Sequence, residues 1–211
     1  VIYLAGCVCA GVTGEGLGLM LTPMIGNRPD LSQYTWAADT GCFAQPKKHD
    51  DDKYIAWLEQ RREFSGGCVF ATAPDVVGDA VATLDRSLPM LPRIRKAGFK
   101  ASLVAQNGIE STVIPWDDFD ALFIGGDTQW KLSESTYELV TEAKARGKWT
   151  HMGRVNSFKR LKAAACAGYD SADGTYIRFA PDLLAPRVVA WMQSLRGQPS
   201  LFTTQAKGES K

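Results

Sequence analysis

The stretch ALFIGGDTQWKLSESTYELVTEAKARGKWTHM, Ala121–Met152, reads as strand, helix and strand in succession. Ala121–Gly125 is a short, almost wholly apolar run, the pattern of a strand covered on both faces. Ser133 opens the helical segment Ser133–Arg146 with a side chain suited to cap its first N–H groups, and Gly147 supplies the usual stop. Trp149–Met152 is the next apolar run. A unit of this kind joins two parallel strands across a helix.

The same alternation extends outward in both directions. Further strand-like runs occupy Ile2–Ala10, Tyr34–Asp39, Cys68–Ala73, Ala101–Ala105, Gly168–Ala172 and Thr175–Phe179. Helix-like stretches lie around Asp52–Arg62, Asp79–Ala97, Asn156–Ala167 and Leu183–Arg196, with Pro89 and Pro92 set to break or bend the second. Eight strands in 211 residues give about 26 residues per βα unit. That spacing fits a compact, single-domain (β/α)8 barrel of the TIM type, near the lower size limit of the fold. A doubly wound open sheet is the rival. The glycine-rich GVTGEGLG at residues 11–18 lacks the downstream acid and the clean helix start that a dinucleotide fingerprint needs. The barrel is expected over residues 1–204, followed by a polar tail at 205–211.

Composition excludes several classes. Lys and Arg number 24 against 23 Asp and Glu, so no global basic field is present and any nucleic-acid contact must be local. No apolar run is long enough to span a bilayer, and the N-terminal run VIYLAGCVCAGV lacks a basic flank, so neither a membrane anchor nor a signal peptide is expected. Five scattered cysteines, Cys7, Cys9, Cys42, Cys68 and Cys166, suit thiols in a reducing cytoplasm better than a disulfide framework. With His49 and His151 as the only histidines, no zinc-ligand spacing appears, and no metal or redox cofactor is expected.

In a barrel of this type chemistry gathers at the C-terminal ends of the strands. The run Tyr34–Asp39 ends in Asp39-Thr-Gly-Cys-Phe43-Ala-Gln45, and the next in Ala73-Pro-Asp75. Later runs end in Gln106-Asn107-Gly108, Gly125-Gly126-Asp127, His151-Met-Gly-Arg154 and Asp170-Ser-Ala-Asp173-Gly-Thr175. Asp and Gly are common turn residues, so each alone is weak. Gln106, His151 and the doubled acids Asp170 and Asp173 are less easily dismissed as turn formers.

These strand ends resemble the tRNA-guanine transglycosylase superfamily, in particular its short phage members that place 7-deazaguanines into DNA. Asp39–Gln45 (DTGCFAQ) is similar to the family's Asp-Ser-Gly-Gly-Phe-Gln motif, and VAQNG (Val104–Gly108) to its Val-Gln-Gly-Gly segment. FIGGD (Phe123–Asp127) resembles its Gly-Gly-Leu segment, and HMGRVNS (His151–Ser157) its Leu-Met-Gly-Val-Gly turn. AGYDSADGTYIR (Ala167–Arg178) resembles the Gly-Val-Asp-x-x-Asp stretch that carries the nucleophile. The family's zinc subdomain and its C-terminal RNA-binding extensions have no counterpart here, which shifts the expected polymer from tRNA to DNA or a nucleoside.

The resemblance implies an exchange of guanine for a 7-deazaguanine base. Asp173 would attack C1′ to form a covalent glycosyl intermediate, and Asp39 would act as general acid and base. Asp170 competes with Asp173. Residues three apart on a regular strand face opposite sides, so only one of the two should enter the site. Asp75 suits the N1–H and 2-amino edge of a guanine-like base, and Gln106 its O6 edge. Asn107, His151 and Asp170 complete the expected substrate contacts, with backbone N–H groups of Gly125 and Gly126 beside the ring and Phe43 stacked on it. Lys47 and Lys48, and Arg154 with Lys159, are the candidate phosphate contacts. A base-releasing glycosylase uses the same residues, and a non-catalytic nucleic-acid-binding barrel is the reading from outside catalysis. The oligomeric state is left open.

Overall fold

The computed structural model describes residues 1–6, 16–25, 29–42 and 49–196. Eight parallel strands close into a barrel in chain order: β1 (Ile2–Ala5), β2 (Leu17–Leu21), β3 (Trp36–Ala38), β4 (Cys68–Thr72), β5 (Ala101–Ala105), β6 (Ala121–Ile124), β7 (Trp149–Met152) and β8 (Ser171–Gly174). β8 returns to β1, pairing Ile2 with Ser171 and Ala5 with Gly174. Helices α1 (Asp51–Glu59), α2 (Ala80–Ser87), α3 (Leu91–Lys96), α4 (Thr128–Lys131), α5 (Glu134–Ala145), α6 (Phe158–Cys166) and α7 (Pro181–Leu195) follow the strands from β3 onward, except that β5 is followed only by a 3-10 turn at Ile109–Ser111.

Two features of this order differ from the sequence reading, and they offset each other in the strand count. Leu17–Leu21 is a fully buried strand, whereas Thr175–Phe179 forms no strand and Tyr176–Phe179 is a 3-10 turn. Gly18 disguised β2, yet a Cβ there would lie 2.4 Å from the Thr35 carbonyl oxygen, so the close approach of β3 requires glycine. Of the strand expected at Ile2–Ala10, β1 covers Ile2–Ala5 while residues 7–10 lie outside the described residues, and the run expected at Gly168–Ala172 starts only at Ser171. The helix Asp79–Ala97 divides into α2 and α3 between Ser87 and Leu91, around Pro89. Ser133 caps α5 by accepting from Thr136 N–H, and Gly147 ends it with φ of +70°. Cys7, Cys9 and the tail 205–211 lie outside the described residues.

Side chains alternate along each strand between the barrel interior and the helix layer. Leu4, Met20, Ala37, Phe70, Ala121 and Phe123 pack inside, whereas Leu19, Trp36, Leu103, Leu122 and Ile124 join the larger core under the helices. Both faces are dry, which explains the near-continuous apolar runs. Trp36 is fully buried, edge-on to Trp57 of α1 and to Phe99. The alternation carries the chemistry: the inward parity that places Ala37 and Phe70 continues one step up to Asp39 and Thr72. No described helix is long and apolar enough to cross a membrane.

Candidate active site

A cavity of about 330 Å³ opens at the C-terminal ends of the strands. Asp39, Asp75, Gln106, Gly125, Arg154 and Asp173 line it, together with Thr72, Val104, Phe123 and Asn156. A second cavity of about 340 Å³ lies away from these acids, between Leu21, Trp57 and Phe64, and among the described residues Arg61 is the one ionisable side chain in its wall. Chemistry therefore belongs to the first.

Asp39 follows β3 and takes neutral donors. Its Oδ1 accepts from Gly41 N–H at 3.0 Å and from the Thr40 hydroxyl at 3.3 Å. Gly41 has φ of +73°, which brings its N–H back onto the carboxylate. Burial pushes the Asp39 pKa up to about 6 against the pull of the Gly41 bond, with the charges of Asp173 and Asp75 adding to the rise. A carboxyl group with that pKa is partly protonated near neutrality.

Asp75 and Gln106 form a braced pair across β4 and β5. Gln106 is buried; its Nε2 donates to Asp75 Oδ2 at 2.6 Å, and its Oε1 accepts from Gly78 N–H at 3.0 Å. Those bonds settle the orientation of the amide. Asp75 Oδ1 also accepts from the Cys42 thiol at 2.9 Å, and burial beside that carboxylate pushes the thiol pKa to about 12. Each Asp75 oxygen retains a lone pair, so the carboxylate presents two aligned acceptors.

Asp173 stands on β8 opposite Asp39. Its Oδ1 accepts from Arg154 N–H at 3.0 Å and meets His151 Nε2 at 3.1 Å. Both bonds fall on Oδ1, which leaves Oδ2 to a ligand. Arg154 has φ of +59°, rare for a residue with a Cβ, and this turn aims its N–H at Asp173 while its guanidinium spans the Gly125 and Gly126 carbonyls. Lys131, buried and donating to the Gly153 carbonyl at 2.6 Å, braces the same turn. Burial, and next the charge of Arg154, lower its pKa to about 7.

His151 lies beneath this carboxylate, fully buried between Phe70 and Phe123. Burial lowers its pKa despite Asp173, so the ring is neutral at pH 7. Its Nδ1 is 2.8 Å from Ser171 Oγ, which in turn accepts from Trp149 Nε1 at 2.8 Å. An Nδ1–H tautomer would set a bare Nε2 lone pair against a carboxylate oxygen. The favourable arrangement has Ser171 donating to Nδ1 and Nε2–H donating to Asp173. A chain from Trp149 through Ser171 and His151 thus fixes the Asp173 carboxylate from below.

Several expected contacts require correction. Asp170 sits at the opposite, N-terminal end of β8, bonded to Lys144 at 2.6 Å and to Thr150, and takes no part in the cavity. His151 reaches the site only through Asp173. Gly125 and Gly126 cannot offer their N–H groups to a ring, because both donate to the Ala105 carbonyl. Glycine is needed at 126 because a Cβ would come within 2.3 Å of Trp130. Asn107 ties down Asp127 in both directions, Nδ2 to Oδ2 at 2.6 Å and Oδ1 to N–H at 2.9 Å, in an open groove beside the cavity. Lys159 is exposed in the first turn of α6, and Phe43, Lys47 and Lys48 lie outside the described residues. The sequence reading missed Thr72, Lys131 and Asn156. Inward parity of β4 identifies Thr72; nothing local marks Lys131, because lysine is normally a surface residue.

No family model and no curated protein matches the sequence. Among solved structures the fold is similar to tryptophan synthase from M. tuberculosis, at 14% identity and a TM-score of 0.47, over 76% of this chain and 59% of that one. It is similar to the Bacillus subtilis YkuI protein, which has an EAL domain and was solved with its substrate c-di-GMP and calcium, at 17% and 0.45, over 78% and 43%. A Pyrococcus furiosus tryptophan synthase complex gives 12% and 0.46, over 78% and 67%. The chain therefore spans less than two thirds of the first two. Such likeness concerns the fold alone.

Proposed function

We propose that this barrel exchanges guanine for a 7-deazaguanine base in nucleic acid, with DNA as the favoured polymer, through a covalent aspartyl-glycosyl intermediate. The observation that carries the reading is the pairing of two differently held carboxylates, Asp39 and Asp173, on the wall of one cavity. Unequal environments are how two like groups divide acid–base from nucleophilic work.

Asp173 Oδ2 attacks C1′ as the bond to the departing base breaks, and the electron pair leaves with the base. Protonated Asp39 supplies the proton that the base needs. The incoming base then gives its proton to Asp39 and attacks C1′, which expels Asp173 and restores both groups. Asp75, held by Gln106 and Cys42, accepts from the N1–H and 2-amino groups shared by guanine and its 7-deaza analogues. Adenine offers neither donor, and a site built around hydrogen bonds rejects a ligand that leaves them unmade.

The test is incubation with guanine-containing DNA and labelled guanine. Incorporation of label supports exchange, with the covalent adduct trapped and mapped to Asp173. Release of guanine without incorporation would convert the reading to a glycosylase, in which water takes the place of the incoming base. If label is not incorporated and guanine is not released, both readings fall.

A further inference from the structure

The rim of the cavity on the β7–β8 side continues into a strip of cations and aromatic rings that the chemistry above does not use. Arg160 Nη1 donates to the Arg154 carbonyl at 3.3 Å, and Phe158 lies in the same first turn of α6. Phe158 packs on Trp191 of α7 with ring centroids 5.9 Å apart, and Trp191 on Tyr176 at 4.9 Å. The Tyr176 hydroxyl accepts from Arg187 at 3.2 Å. The 3-10 turn that starts at Tyr176 ends in Arg178, which is exposed, and Phe179, which is 81% exposed.

Charge is concentrated here. Residues 154–196 hold seven Lys and Arg against three Asp, in a chain whose net charge is only +1. Of those acids, Asp173 faces the cavity and Asp170 pairs with Lys144 at the far end of the barrel, which leaves Asp182, in the first turn of α7, as the one acid of this segment beside the strip. Burial does not account for a phenylalanine ring exposed to this extent. Aromatic rings set among guanidinium groups are how proteins hold unpaired bases and the phosphates between them.

We infer that this strip is the track for a single-stranded or locally opened nucleic-acid strand, with phosphates on Arg160, Arg178 and Arg187 and a base stacked on Phe179, leading the target nucleotide to Asp173. The inference rests on the base-exchange reading of the cavity, and a probe without guanine lets the two fail separately. Fluorescence anisotropy of a short labelled oligothymidine, measured over a range of salt concentrations, supplies that probe. Phe179→Ala should weaken binding at least about fivefold with an unchanged salt slope, and Phe179→Trp should restore it. Arg178→Ala should lower the slope of log affinity against log salt by about 0.7, the value for one lost phosphate contact on a single strand. Both positions are exposed, so melting temperatures should stay at the wild-type value.

Unchanged oligothymidine binding in both alanine variants overturns the inference. Equal binding to phosphatidylserine vesicles, with the same sensitivity to the two substitutions, overturns it as well and points to a lipid surface. Strand binding that depends on Phe179 and Arg178, in a protein that exchanges no base, supports the track and removes the base-exchange reading.

Discussion

On the β3–β4 side of the cavity, Asp39 is held by neutral donors, the Gly41 N–H and a threonine hydroxyl, and burial brings its pKa to about 6. On the β7–β8 side, Asp173 rests on the His151 ring and the Arg154 N–H, with the buried Lys131 behind the same turn. One carboxyl group is partly protonated near neutrality; the other is locked in direction with one oxygen left over. Three residues from Asp173, Asp170 is bonded to Lys144 and Thr150 at the other end of the strand. Position in the barrel and the donors around it, rather than the residue type, separate these three acids.

The largest effect should come from Asp173→Asn, which keeps the shape of the side chain but not its nucleophilicity. Base exchange is expected to fall by at least about 10⁴-fold while binding of the free base changes little, as measured by exchange kinetics and calorimetry. If exchange survived and the adduct mapped elsewhere, the contrast between the two sides of the cavity would collapse.

Asp39→Asn should cost about 10²–10⁴-fold in exchange, the usual size of an acid–base contribution. In the wild type, kcat/KM for the base-release step should fall as pH rises through about 6, where Asp39 loses its proton. Stability falls with pH over the same range. A carboxyl group whose folded pKa is raised stabilises the fold while protonated, and that contribution is lost as pH rises from about 4 through about 6. The Asn variant should therefore be more stable than wild type at about pH 7.5, by about 1–2 kcal/mol after allowing for its partial exposure, and show no such advantage below about pH 4. Urea titrations at the two pH values check this.

Ser171→Ala removes the hydroxyl that stands between Trp149 and His151. A drop of about 10- to 100-fold in kcat is expected with KM nearly unchanged, because Asp173 loses alignment rather than identity. Nitrogen-15 shifts of His151 should report the Nε2–H tautomer in the wild type and a mixed population in the variant. A wild-type ring protonated at Nδ1 would break the chain as drawn.

The smallest effect on activity belongs to Asp170→Asn, expected within about twofold of wild type. Its cost is stability, about 1–2 kcal/mol from the weakened Lys144 and Thr150 bonds, read in a thermal melt. Loss of exchange in a stable Asp170→Asn protein would mean that the two ends of β8 had been assigned wrongly.

Much of this arrangement is legible in the sequence. Apolar runs alternating with capped helices carried the barrel, because strands dry on both faces leave a pattern that survives without knowledge of their partners. Asp39, Asp75, Gln106 and Asp173 stood out as polar residues at strand ends, and the barrel directs those ends into one cavity. β2 was hidden because Gly18 answers to the Thr35 carbonyl of the neighbouring strand, a contact invisible to local propensity.

What the sequence by itself determined is the alternation of strands and helices and the supply of acids at their C-terminal ends, both of which are local and periodic. The tertiary structure alone decided which end of β8 each aspartate occupies, that His151 serves Asp173 from below, that the Gly125 and Gly126 N–H groups are already taken, and that Lys131 is buried. Each of those depends on a partner at least about twenty residues away in the chain. Hydrogen bonds and desolvation act through space, so the environment that sets a carboxylate's role comes into being only when the barrel closes.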